Sequence, residues 1–140
     1  HVSIVIAVGT SCGFVFVFDE HQTLRWCHEA DKECNSVSAL CFNVDCSRLL
    51  AGYACGTILM FDANDGKLLR TMTNAHTAST AVLQIKVIDS FSLRKRMRMK
   101  IVKFHLKELF TDIPTLALCS DNGGSVFEMN FRRILGVRGV

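Results

Sequence analysis

Three apolar runs in this chain share one frame. Gly13 to Asp19 reads Gly-Phe-Val-Phe-Val-Phe-Asp, Gly56 to Asp62 reads Gly-Thr-Ile-Leu-Met-Phe-Asp, and Gly124 to Asn130 reads Gly-Ser-Val-Phe-Glu-Met-Asn. Each opens on a glycine that ends a tight turn, continues through five residues of β-branched, aromatic or aliphatic character, and closes on Asp or Asn at the next turn. Around them the alternation of apolar runs and turn residues predicts further strands. The first copy reads Ser3 to Gly9, a turn at Thr10 to Gly13, Phe14 to Asp19, a turn at Glu20 to Gln22, then Thr23 to Cys27, with a polar connector over His28 to Asn35. The second copy has four strands: Ser36 to Phe42, Arg48 to Tyr53, Thr57 to Asp62 and Lys67 to Met72, joined by turns at Asn43 to Ser47, Ala54 to Gly56 and Ala63 to Gly66.

The first two glycines lie 43 residues apart. That falls within the roughly 40–45 residues at which four short strands repeat as one blade of a WD40-like β-propeller. Runs such as Val5 to Val8 and Ile58 to Phe61 lack a clean polar alternation, so both faces of each sheet need cover. Stacked blades give that cover. A parallel α/β arrangement would need amphipathic helices between strands, and outside one segment the chain has none to supply. Asn64-Asp65-Gly66 between two apolar runs is a hairpin signal and favours antiparallel pairing. The fold expected is an all-β, WD40-like propeller fragment of about three blades, over about residues 1–30, 31–74 and 75–135. A full ring takes about four to eight blades, so three units are read as part of one. Poor stability in isolation is expected, because two blade faces and long strand edges would lie open.

The third copy breaks the frame. It starts at Ala81 to Lys86 and resumes at Phe110 to Asp121, and its glycine lies 68 residues after Gly56. Between the two halves, Val87 to Glu108 carries seven Lys or Arg against Asp89 and Glu108, a net charge of +5 in a chain whose total is +3. Without the segment the chain is at −2, so total charge is no argument for nucleic acid or membrane. Three readings of 87–108 stay open. Leu93, Met97, Ile101 and Phe104 recur near helical spacing with basic residues elsewhere on the wheel, as in an amphipathic helix for an anionic membrane or a partner's groove. The plainer reading is a solvated loop or helix between two strands of a blade, since long surface insertions add little closure entropy. The third reading is a translated, retained intron: joining Lys86 to Leu109 or Phe110 restores a spacing of 46 or 45, Val codons begin with GT, and a Glu codon can end in AG. Spliced message that runs continuously through Val87 to Glu108 would remove this last reading.

Composition narrows the remaining options. The first residues combine no basic region with an apolar run of signal length, and no stretch approaches the ~18 apolar residues that cross a bilayer. A soluble, non-secreted chain is expected. The seven cysteines, Cys12, Cys27, Cys34, Cys41, Cys46, Cys55 and Cys119, are odd in number and irregularly spaced, which fits reduced thiols better than a disulfide framework. Cys41 and Cys46 have a spacing that zinc can use, with His28 and Cys34 nearby, but a second pair at proper spacing is missing, and buried free Cys is the better account.

No catalytic, cofactor-binding or metal residue is assigned. The five histidines fall mostly in turns or in 87–108, without catalytic spacing. Ser120 to Ser125 is glycine-rich, yet it lacks the following helix and the Lys of a phosphate cradle and reads as a hairpin turn. Asp19 and Asp62 end equivalent strands and are expected to hold turns rather than act as acids. His76 stands where WD40 repeats carry Gly-His, a residue that hydrogen-bonds within its blade. Phe18 and Phe61 replace the usual Trp, and Trp26 is expected to serve packing or a rim contact. The blade-structural set is therefore Gly13, Phe18, Asp19, Gly56, Phe61, Asp62, His76 and Gly124.

At Leu116 to Gly136 the sequence resembles the N-terminal propeller of the vacuolar protein sorting-associated protein eight family, the large subunit particular to the CORVET endosomal tethering complex. The resemblance continues through Leu50 to Asp62, Asp65 to Arg70 and Ala75-His76, and fails over Val87 to Glu108. It implies a non-enzymatic interaction scaffold, peripheral on early endosomes in the cytoplasm, without cofactors. Its implied partners are the other CORVET and class C vacuolar-sorting subunits and a Rab-five-type GTPase, with the membrane reached through them and no nucleic acid bound. Its implied work is vesicle fusion and endosome-to-vacuole or lysosome protein transport. The alternative is a propeller scaffold of another trafficking or signalling complex. A propeller hydrolase would need acidic or His residues gathered at a central channel, and these blades show no such set.

Overall fold

The computed structural model describes residues 4–32, 36–73, 76, 80–88 and 115–131. These residues form ten strands in three antiparallel sheets, with no helix among them. The first sheet has the order β1-β2-β3, with β1 at Ile6–Gly9, β2 at Phe14–Phe18 and β3 at Leu24–Glu29. In the second, β4 (Val37–Phe42), β5 (Arg48–Tyr53), β6 (Ile58–Asp62) and β7 (Leu68–Met72) follow one another as four neighbouring strands. The third runs β10-β9-β8, from β8 (Val82–Ile88) at one edge through β9 (Thr115–Asp121) to β10 (Val126–Phe131). Consecutive meandering sheets of this kind are blades, and the chain is a partial β-propeller.

Turn positions fix which strands correspond. The glycine turn joins β1 to β2, β5 to β6 and β9 to β10, so the first sheet holds the counterparts of β5, β6 and β7, and the third those of β4, β5 and β6. Three strands outrun their expected bounds, among them β10, where Asn130 and Phe131 pair with Leu116 and Thr115 instead of opening a turn. β3 continues through His28 and Glu29, which pair with Val15 and Phe14: the His28 ring packs on Phe61 across the seam, and Glu29 alternates onto the exposed side. β8 continues past Lys86 into the basic segment, where Val87 and Ile88 pair with Ala117 and Leu116. The helical spacing from Leu93 to Phe104 lies outside the described residues.

The middle sheet explains why its strands are apolar on both sides. Leu49, Ala51, Tyr53, Leu59 and Phe61 pack with Val15, Val17 and Trp26 of the first sheet. Leu50 and Ile58 point the other way, to Val82, Ile85, Ala117, Cys119 and Met129 of the third. Period-2 geometry sends alternate residues of β5 into opposite cores, so each core is a seam between neighbouring blades.

Two glycines set the closeness of the seams. A Cβ on Gly9 would overlap Val37 of β4, and one on Gly52 would stand 2.6 Å from Val82 Cγ1 of β8. Gly9 and Gly52 are 43 residues apart, so the same device recurs at both seams. Each glycine lets the inner strand of the next blade press its valine onto bare backbone.

Candidate functional site

The residues singled out above occupy three kinds of place: hairpin turns, blade seams and one buried polar pair. Gly13, Gly56 and Gly124 close equivalent four-residue turns with φ of 88°, 87° and 86°, a region that side chains rarely adopt. In each turn the glycine N–H donates back to the residue that opens it, Thr10, Tyr53 or Asp121, at 3.0–3.3 Å. The three loops are superposable solutions of one sequence pattern.

Asp19 and Asp62 sit at the opposite ends of their strands and face turn backbone. Asp19 Oδ1 accepts the N–H groups of His21 and Thr23, both at 2.9 Å. The bond from Thr23 is the main cause holding its carboxyl below the ordinary value. Asp62 Oδ1 accepts the Asn64 N–H at 3.0 Å, and its Oδ2 takes a bond from Arg48 Nη1 at 3.0 Å. That ion pair is partly solvated and adds little stability.

Phe18 and Phe61 share a repeat position but not an environment. Phe61 is fully buried, with the Trp26 ring 5.5 Å and the His28 ring 4.7 Å away. Burial lowers the pKa of His28. Phe18 is half-buried and stacks in a row with Phe16 and Phe14 at 6.3 and 5.9 Å on the side of the first sheet away from the second.

His76 meets Asp121 in the third blade, with Nδ1 2.9 Å from Oδ2 and both side chains out of solvent. Asp121 Oδ1 also accepts the Ser125 N–H at 2.9 Å, so one carboxylate ties the connector to the glycine turn. The bond from His76, then that from Ser125, holds the Asp121 carboxyl below its ordinary value. The His76 ring meets the Phe127 ring edge-on at 4.7 Å, and its Nε2 has no hydrogen-bond partner. Asp121 was visible in the sequence only as part of a glycine-rich turn, and its pairing with a residue 45 positions earlier leaves no periodic signal.

Trp26 also escaped a full reading. Its ring, 8% exposed, spans the first seam, where Nε1–H donates to the Ala63 carbonyl at 2.9 Å. It lies against Gly66, where a Cβ would come within 2.5 Å of the ring. Gly66 has φ of 73°, so its position in the turn and the fit of the ring both require glycine.

Chemically, these groups build and brace. Burial pushes the Cys119 thiol up to about 11, leaving it protonated at neutral pH beside Met129 Sδ at 3.6 Å. Cys12, Cys27 and Cys46 are free and exposed. Among the described residues no three His, Cys, Asp or Glu side chains gather as a metal site. The functional surface is therefore sought in the blades' exposed faces and loops, where propellers and other rigid scaffolds present their contacts.

A family model described as Vps8 beta-propeller matches residues 1–140. This chain belongs to the Vps8 β-propeller family. It is 46% identical over 140 residues to the vacuolar protein sorting-associated protein 8 homolog of Mus musculus, with 98% of the chain and 8% of that relative covered. The human homolog is 45% identical over 142 residues with the same coverage, and that of Drosophila melanogaster 38% over 138 residues, covering 99% of the chain and 9% of the relative. The chain thus spans less than a tenth of the length of these Vps8 relatives. Among solved structures, a computationally designed protein, Ika4, aligns with 91% of this chain and 85% of its own, at 14% identity and a TM-score of 0.45.

Proposed function

We infer that this chain serves as a non-enzymatic protein-interaction scaffold in vacuolar protein sorting. The family match along the whole chain carries the reading, because the relatives it aligns with are named for that process. The geometry is in keeping with it. The identified polar residues hold turns or a blade connector, and the seams make a rigid support for exposed loops and edges.

At finer grain, the scaffold belongs to an endosomal membrane-tethering complex of the CORVET type. It works in the cytoplasm, peripheral on early endosomes, in vesicle fusion and in transport from endosome to vacuole or lysosome. Its partners are the other complex subunits of class C and a Rab-five-type GTPase, and it reaches the membrane through them. The test is co-purification of the longer protein that contains this propeller. Recovery of class C subunits, with GTP-dependent recovery of the Rab, is expected. A preparation that brings down neither, but a stable set of other subunits, assigns the propeller to a different trafficking or signalling scaffold.

A further inference from the structure

The turn between β9 and β10 carries a chemistry that its counterparts lack. Asn122-Gly123 is the one Asn-Gly step in the chain, and it stands where the other two glycine turns have Ser11-Cys12 and Ala54-Cys55. With no Cβ in the way, the Gly123 nitrogen is open to the side-chain amide carbon of Asn122. Both residues are exposed. Ala54 and Cys55 remain half-buried although the middle sheet packs on a neighbour at each face, so water reaches this rim in a flanked blade as well.

Hydrogen bonds order the turn around that step. Asn122 Oδ1 accepts the Ala81 N–H at 3.0 Å, which polarises the amide carbonyl and places a donor where negative charge develops on attack. The Gly123 N–H bonds the Asp121 carboxylate and helps to hold it ionised, so the proton of the nucleophile faces a base. The Asn122 N–H in turn donates to the Ala81 carbonyl at 3.1 Å and pins the residue to the entry of β8. Asp65-Gly66 offers the contrast. There the Gly66 N–H is taken by the Asp62 carbonyl at 2.9 Å, and the Trp26 ring lies against the glycine.

We propose that Asn122 is a site of self-catalysed deamidation, at which the folded turn converts its amide to aspartate and isoaspartate. The Gly123 nitrogen bonds to Asn122 Cγ while its proton passes to the Asp121 carboxylate. The Cγ–Nδ2 bond then breaks, and Nδ2 takes up that proton and leaves as ammonia. Water opens the resulting succinimide: at Cγ it gives aspartate, and at the backbone carbonyl it gives isoaspartate, with no change of oxidation state in either case. Aspartate still accepts the Ala81 N–H. Isoaspartate adds a methylene to the backbone of a tight turn and cannot keep both bonds to Ala81. Because Asp121 of the same turn holds His76, the change loosens the tie between this turn and the connector that leads into β8.

The longer protein that contains this propeller is incubated at neutral pH, folded and in urea, and peptide mapping by mass spectrometry follows residues 120–131, with isoaspartate counted by enzymatic carboxyl methylation. Both products should accumulate at Asn122 in the folded protein at least as fast as in urea. Gly123→Ala should suppress them, and since Gly123 is not among the glycines with positive φ, alanine fits its backbone. Asn122→Gln, whose longer side chain closes the ring far more slowly, is the second variant should the first fail to fold, and its amide should persist. An Asn122 that converts in urea but stays an amide in the folded protein overturns the proposal, because its bonds then guard the amide. Undiminished conversion in Gly123→Ala overturns it too, since ammonia loss then does not depend on attack by that nitrogen.

Discussion

Residues that repeat in sequence are not interchangeable in this structure, and the differences can be measured. Gly66 and Gly124 both have positive φ, yet a Cβ on Gly66 enters the Trp26 ring while one on Gly124 meets nothing within 4 Å. Gly124→Ala should destabilise by about 1–2 kcal/mol through backbone conformation alone. Gly66→Ala adds overpacking of about 1–3 kcal/mol, so its urea midpoint should fall further. Phe61→Ala should cost about 3–5 kcal/mol, as for a fully buried aromatic, with the half-buried Phe18→Ala well below it. The His76–Asp121 pair predicts a pH dependence. The folded-state pKa of Asp121 is depressed, so its contribution is present above the ordinary carboxylate range and is lost as pH falls through the folded value. Asp121→Asn should therefore flatten the acid limb of a plot of melting temperature against pH, and an unchanged limb would show that the carboxylate is not stabilised by folding.

At the scale of the element, the strands and glycine turns were legible because period-2 runs and positive-φ turns are local properties of the chain. The 43-residue frame located the first two glycine hairpins and the two turn aspartates, and the Gly-to-Asn run at Gly124 to Asn130 marked the third. Partners across seams were not legible, since nothing in β1 indicates that Gly9 faces Val37 or in β5 that Gly52 faces Val82. Strand ends were missed where pairing overrides local polarity, as at His28 and Glu29, or where a partner strand carries the ladder onward, as at Val87 and Ile88. The seam device yields its own test. Gly9→Ala should destabilise by forcing the new methyl against Val37, and Val37→Ala in the same chain should recover part of the loss. A double-mutant cycle on Gly9 and Val37 is then expected to show favourable coupling of about 0.5–3 kcal/mol, whereas simple additivity would mean that the two blades do not meet as described.

Among the described residues, the middle sheet is the keystone because its two faces pack on both neighbouring sheets. Disturbing it should loosen both seams together, while changes confined to the first or third sheet act on one. The same layout bears on the basic stretch between β8 and β9. Ile88 and Leu116 are register partners on adjacent strands, so the two ends of the β8–β9 ladder stand side by side. The β8–β9 ladder closes the blade up to that point, so a short turn can join its two ends. Replacing residues 89–114 by a short turn of about five residues changes closure entropy by only about 1.5 kcal/mol, in the stabilising direction. The shortened chain should keep the wild-type Trp26 emission and melt no lower than its parent. The strand ends at Ile88 and Leu116 then become a port at the edge of the third blade, where a fluorescent protein, an affinity tag or a split reporter can be grafted without breaking the β8–β9 ladder.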